Sequence, residues 1–195
     1  MKILVMKFRN IGDVLLSTPL LENIKAAFPD ATRDYALNSN CTEMIAHNPH
    51  VNQILGYERD RIKNQALVSR LWSEIVFYRQ IIKKRYDMVI NLTEGDRGAS
   101  LAWLSRAKTR IGILPRNGVL KHCRLFSAHV VETPRGHTVE MDLFPLRLLN
   151  FAPSSKRVRM FWDSQTENAI ALILMRHAVN RFVLIHPVAR WMFKC

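Results

Sequence analysis

A near-continuous apolar run, Lys2-Ile3-Leu4-Val5-Met6-Lys7, passes through Arg9-Asn10-Ile11-Gly12-Asp13 into an apolar, helix-length stretch that reaches Phe28. A strand buried on both faces reads this way, and a glycine turn followed by a helix is how it continues in a parallel α/β sheet. Ligands of such sheets sit where the strands stop. Here that place carries Arg9, Asn10 and Asp13: a base, an amide and an acid in one loop.

The rest of the chain repeats the pattern. Short strands are expected at Arg33 to Leu37, Val51 to Tyr57, Asp87 to Leu92, Arg110 to Leu114 and His129 to Glu132. Between them lie a brief helix ending near His47, a long one from Gln65 to Arg85 and a shorter one from Ala99 to Ser105. In the long helix Val68, Leu71, Ile75, Tyr78 and Ile82 form one apolar stripe, closed by the cations Lys83-Lys84-Arg85. Trp103 falls in an apolar helical pattern and is expected in the core, as is the Phe77-Tyr78 pair in part. Strand, crossover helix and strand in succession mean a Rossmann-like parallel sheet.

Pro19 either opens a helix capped by Thr18 or lies in the early turns of one starting near Asp13. Gly136-His137-Thr138-Val139-Glu140 leads into a helix to Leu149, with His137 and Glu140 as capping or surface residues. Ala152-Pro153-Ser154-Ser155-Lys156 has linker composition, dividing a domain over 1–155 from a region over 156–195. In that region Asp163-Ser164 can cap a helix to about Val179, and a strand is expected at Phe182 to Ile185. One helix and one strand do not close a layer, so the expectation is a chain that stops inside a second domain.

Charge narrows the partners. Lys and Arg number 29 against 16 Asp and Glu, a formal +13, which implies an anionic partner without choosing among nucleic acid, nucleotide, phosphorylated lipid and membrane surface. Cys41, Cys123 and Cys195 have no metal spacing and cannot all pair in one molecule, which favours a reducing compartment. There is no leader pattern at the start and no apolar run of the roughly 18 residues a membrane span needs. His, Cys and carboxylates lack metal-ligand spacing, so no structural metal is expected. Neither the G-x-G-x-x-G fingerprint nor a P-loop is present, which removes the main support for nicotinamide, flavin or ATPase chemistry.

Asp13 has two readings: a cap of the following helix, or a base that takes the proton of a bound hydroxyl as that oxygen attacks. Gly12 fits both, because a turn there needs positive φ or a close backbone approach. A second cluster, His186, Arg190 and Lys194, closes a stretch from 168 to 195 that contains no acid. It is either a solvated basic rim or a phosphate clamp able to stabilise a departing phosphate.

Met6-Lys7-Phe8-Arg9 with Gly12-Asp13-Val14-Leu15-Leu16-Ser17-Thr18-Pro19 resembles the opening motif of the ADP-heptose:lipopolysaccharide heptosyltransferases. Asp87-Met88-Val89-Ile90-Asn91-Leu92-Thr93 and the segment from His186 to Cys195 resemble matching segments of the heptosyltransferase III subgroup, over roughly the first half of a family member. The resemblance implies a glycosyltransferase B fold of two Rossmann-like domains and a metal-independent, inverting transfer with no cofactor. The donor would be ADP-L-glycero-D-manno-heptose and the acceptor the lipopolysaccharide inner core. It implies work at the cytoplasmic face of the bacterial inner membrane, as a peripheral protein.

By motif position Asp13 would be the general base, with Arg9, Asn10 and Gly12 on the acceptor side. Lys194, with Arg190 beside it, would contact the donor diphosphate. Without most of a donor domain, the 195-residue chain is expected to be inactive or very weak alone. The rival readings are a transferase for another nucleotide sugar, a nucleic-acid-binding α/β protein and a binder of the acceptor lipid without chemistry. Against nucleic acid, the basic residues are spread along the chain and no reading motif accompanies them.

Overall fold

The computed structural model describes residues 1–113, 119–120, 125–130 and 136–185. Within it the chain divides into two compact units, Met1–Phe161 and Trp162–Cys195. The first unit is a six-stranded sheet in which every neighbouring pair is parallel.

Its strands are β1 (Lys2–Lys7), β2 (Thr32–Asn38), β3 (Gln53–Tyr57), β4 (Met88–Asn91), β5 (Thr109–Ile113) and β6 (Ala128–Val130). Their order across the sheet is β3-β2-β1-β4-β5-β6. That is the Rossmann order, and its reversal point lies between β1 and β4.

The alternation of β1 assigns the two layers. Ile3 and Val5 point into one core with α1 (Ile11–Leu16), α2 (Thr18–Ala27) and α6 (Thr138–Arg147), where Val14, Leu20, Ile24, Val139 and Leu143 meet them. Leu4 and Met6 point into the other with α4 (Leu67–Lys83) and α5 (Asp96–Leu104), against Phe77, Ile81, Leu101 and Ala102. Each of these strand residues is fully buried, a contribution of roughly 1.5–3 kcal/mol per large side chain. The strand is apolar throughout because both its faces are covered.

Pro19 opens a second helix, as one reading had it, but with Ser17 rather than Thr18 as its N-cap. The chain forms one short helix, breaks at Ser17 and begins another in which Pro19 occupies the first turn. A ring without an N–H costs nothing there, because that donor has no intrahelical partner anyway.

Several sequence expectations are corrected. Val68, Leu71 and Ile75 of α4 do not face the core; Phe77 and Ile81, on the opposite side of the helix, do. Trp103 is 55% exposed, since Leu101 and Ala102 take the inward positions of α5. A five-residue helix, α3 (Arg59–Lys63), follows β3 where no element was expected. Part of the 114–135 region, including His122, Lys121 and Arg124, lies outside the described residues.

The stretch read as a linker is tied down. Asn23 on α2 accepts from the Ser154 N–H at 2.7 Å and donates to the Ser155 carbonyl at 2.7 Å, and the Thr18 hydroxyl accepts from Arg159 N–H at 3.2 Å. In the second unit α7 (Ser164–Arg176) begins as expected, with the Asp163 carboxylate accepting the Thr166 N–H at 2.8 Å, and none of its residues is buried. Phe182 to Ile185 form no strand, a correction with a simple cause: no described strand in that unit offers them a ladder.

Candidate active site at the carboxyl edge of the sheet

Loops leaving β1 and β4 meet at the reversal point and are pinned to each other. Asn91, at the end of β4, donates to the Thr93 carbonyl at 3.0 Å and accepts the Thr93 N–H at 3.2 Å. The Thr93 hydroxyl then accepts the buried Phe8 N–H at 2.8 Å. On the other side Asn38, at the end of β2, donates to the Arg9 carbonyl at 3.0 Å, while its own Oδ1 is buried without a partner. The loop Phe8–Asn10 is thus held from both neighbouring strands.

Above these strand ends opens a cavity of about 570 Å³. Five cations line it, Arg9, Arg59, Lys63, Arg70 and Arg97, against the acids Glu94 and Asp96. Asp96 is already committed to the N–H groups of Val119 and Leu120, at 3.0 and 3.3 Å. One wall is a rigid group: the Arg97 guanidinium lies 4.1 Å over the Tyr57 ring and bonds Glu74 at 2.8 Å, and the Tyr57 hydroxyl donates to the same carboxylate. Burial, with that bond to Glu74, pushes the Tyr57 hydroxyl up to about 12, so it stays a donor. Such a cavity suits an anionic, hydroxyl-rich ligand.

The predicted site residues fall in three places. Arg9 and Asn10 line the cavity. Gly12 and Asp13 are not among its lining residues; they lie in the first turn of α1, with Asp13 half-buried and accepting the Asn10 N–H at 3.2 Å. Asn10 and Asp13 make a capping box, so the capping reading of Asp13 is realised. A helix cap that keeps solvent access still leaves a carboxylate lone pair for a substrate proton. Gly12 needs neither of the two conditions expected of it: it is helical without positive φ, and the space where a Cβ would stand is open. Arg190, Lys194 and His186 lie outside the described residues.

Sequence reasoning missed the charged pair beneath this turn. Lys7 ends β1 on the face of Ile3 and Val5, and its ammonium bonds Asp142 of α6, with the two side chains 3% and 7% exposed. Burial holds the Asp142 carboxyl up at about 6 even though Lys7 works to lower it, and Asp13 is close enough to add to the rise. The same Asp13 charge, after burial, helps raise the Cys41 thiol. The only sequence signals were a lysine closing an apolar strand and an acid inside Val139-Glu140-Met141-Asp142-Leu143. His137 and Glu140 are as expected: His137 caps α6, its ring nitrogen accepting Val139 N–H at 3.3 Å, and Glu140 pairs with Lys156 at 2.6 Å.

A six-stranded parallel sheet in Rossmann order, with a cation-lined cavity at its reversal point, defines an α/β ligand-binding unit of the kind from which glycosyltransferase B folds are built. The chain superposes on a glycosyl transferase family 9 protein from Veillonella parvula with a TM-score of 0.74, at 19% identity, over 90% of this chain and 49% of that one. It superposes on E. coli heptosyltransferase WaaC with ADP-2-deoxy-2-fluoro heptose at 0.68, with 18% identity over 81% and 51% of the two chains. For E. coli ADP-heptose lps heptosyltransferase II the score is 0.63, with 17% identity over 89% and 50%.

In sequence the chain is similar to lipopolysaccharide heptosyltransferase 3 of Escherichia coli, 27% identical over 185 residues, 94% of this chain and 54% of that protein. The K12 strain's lipopolysaccharide heptosyltransferase 3 gives 27% over 192 residues, 94% of this chain and 53% of that one. No family model matches. The chain is thus similar in sequence to lipopolysaccharide heptosyltransferases and spans about half the length of these curated relatives.

Proposed function

We propose that this chain is the acceptor-side half of a transferase moving L-glycero-D-manno-heptose from ADP-heptose to the lipopolysaccharide inner core. The observation that carries the reading is the Arg9-Asn10 loop after β1, which lines a cavity with five cations in all and leads directly into the helical turn of Asp13. An inner-core acceptor is an anionic sugar, which is what such a cavity binds. The similarity to lipopolysaccharide heptosyltransferase 3 supports the heptosyl group and the acceptor class, and the likeness to heptosyltransferase WaaC with ADP-2-deoxy-2-fluoro heptose supports the donor class.

Asp13 takes the proton from an acceptor hydroxyl, and the oxygen forms its new bond to the anomeric carbon. The bond from that carbon to the diphosphate breaks, and ADP leaves with the electron pair. Arg9, Asn10 and the Arg59–Arg97 side of the cavity hold the acceptor. Open space at Gly12 lets a sugar approach the carboxylate. Lys194 and Arg190 meet the developing diphosphate charge from the donor side. No metal or organic cofactor takes part in this scheme. By the family resemblance, the site of action is the cytoplasmic face of the bacterial inner membrane.

The test is a donor panel on the complete protein with heptose-bearing core acceptor. Transfer from ADP-heptose, well above transfer from other nucleotide sugars, is expected. Preference for another donor, or retention of acceptor with no transfer from any, would replace this reading with one of its rivals. The 195-residue chain alone is expected to give little or no turnover in the same assay.

A further inference from the structure

The fold leaves one face of α4 unused. Phe77 and Ile81 are its buried residues, while Val68 is 81% and Trp72 66% exposed, and Leu67, Leu71, Ile75 and Val76 are exposed with them. At helical spacing Val68, Trp72, Ile75, Arg79 and Lys83 fall within roughly 80° of one another, with Leu71 and Val76 at the shoulders. The helix is therefore apolar on two sides. Its outward side is apolar along the first three turns and cationic along the last two.

Cations also rim the patch. Helix α3 packs beside α4, and its Arg61, paired with Glu58, borders a shallow depression shared with Trp72, Val76 and Gln80. Arg59, Lys63 and Arg70 face the cavity and not this patch, so its own cations are Arg61, Arg79 and Lys83. Between 59 and 85 the chain carries eight Lys and Arg against two acids. Of those acids, Glu74 is spent on Arg97 and Tyr57.

We propose that this outward face of α4, with its cationic rim, is a docking surface for an anionic lipid bilayer. An interfacial helix has this composition: branched apolar side chains and a Trp that enter the headgroup boundary, and Lys and Arg that stay with the phosphates. A second copy of the chain fits worse, since self-pairing through the face would set like cations against one another. Nucleic acid would satisfy the cations but leave Val68, Leu71 and Trp72 in water. Docking in this way lays the cavity, whose rim shares α3, beside the lipid surface. The proposal deepens the transferase reading by naming the face that meets the membrane, yet it uses none of that reading's chemistry.

The measurement is co-sedimentation of the chain with sucrose-loaded vesicles of phosphatidylglycerol and phosphatidylcholine, with pure phosphatidylcholine as control. Binding to the anionic vesicles, at least tenfold weaker to the control and weakened by salt, is expected. Leu71→Ser/Trp72→Ser/Ile75→Ser should lower it at least tenfold with an unchanged circular dichroism spectrum, since all three side chains are exposed. Should that variant misfold, Arg79→Glu/Lys83→Glu gives the same reading by abolishing the preference for anionic lipid. A parent chain that ignores the vesicles, or variants that bind as it does, would overturn the proposal. So would a dimer in sedimentation velocity that the triple substitution dissociates, which would make the face a contact between copies. No nucleotide sugar is present, so failure here leaves the outcome of the donor panel untouched, and the reverse holds too.

Discussion

The Lys7 ammonium and the Asp142 carboxylate form an ion pair almost wholly removed from water, directly behind the turn that carries Asp13. Burial costs each charge several kcal/mol, and only the partner and well-placed hydrogen bonds recover it. Lys7→Met therefore strands Asp142, and the expected loss is about 3 kcal/mol of folding stability at neutral pH. Because a protonated Asp142 tolerates burial, the loss should shrink as pH falls. Urea unfolding across pH measures this, and a pH-independent loss would contradict it.

Asp142 itself makes a signed prediction. Its folded carboxyl titrates at about 6, above the ordinary 3.8. Through that window the folded state holds more proton than the unfolded one, so the contribution of this group is largest at low pH and is lost as pH rises through about 6. Asp142→Asn should remove that downward slope between the two values. A variant and parent with parallel stability profiles there would show that the carboxyl is not held up.

Gly12 should be replaceable as far as folding goes. No atom stands within 4 Å of an added Cβ, and its φ is not positive. Gly12→Ala should raise stability by about 0.5–1 kcal/mol through the unfolded chain and helix propensity. A lower melting temperature would mean a conformational demand at this turn.

Thr93 joins the two loops of the site. Thr93→Val deprives the buried Phe8 N–H of its acceptor, at an expected cost of about 1–3 kcal/mol. Denaturant unfolding reads the loss directly. A neutral substitution would show that the two loops are held independently.

Much of the fold was legible because β1 reports its own burial: a strand covered on both sides must be apolar at every position, whatever covers it. The strand bounds shift by only a residue or two for the same reason. Helix α4 was legible as a helix and misread in orientation. Periodicity reveals that Val68, Leu71 and Ile75 share a side, but Phe77 and Ile81 share another, and sequence does not say which side meets the sheet. Trp103 fails likewise: a large apolar residue in a helical pattern need not point inward. The position of Asp13 in the turn after β1 was legible because that turn follows a recognisable strand. Lys7 and Asp142 were not, because a contact across 135 positions leaves no local trace. Of the cavity's cations only Arg9 was named from sequence: Arg59 and Lys63 stand on α3, a helix too short to show a period, and Arg70 and Arg97 arrive from α4 and α5.

We propose that the half-buried carboxylate of Asp13 is the base that activates the acceptor. Asp13→Asn keeps an oxygen able to accept the Asn10 N–H, so the α1 cap and the melting temperature should survive while the basic group is gone. In the complete protein, heptose transfer from ADP-heptose to lipopolysaccharide core should then fall by about a thousandfold, with donor affinity unchanged. Turnover within a few fold of the parent, in a variant that folds normally, would contradict it.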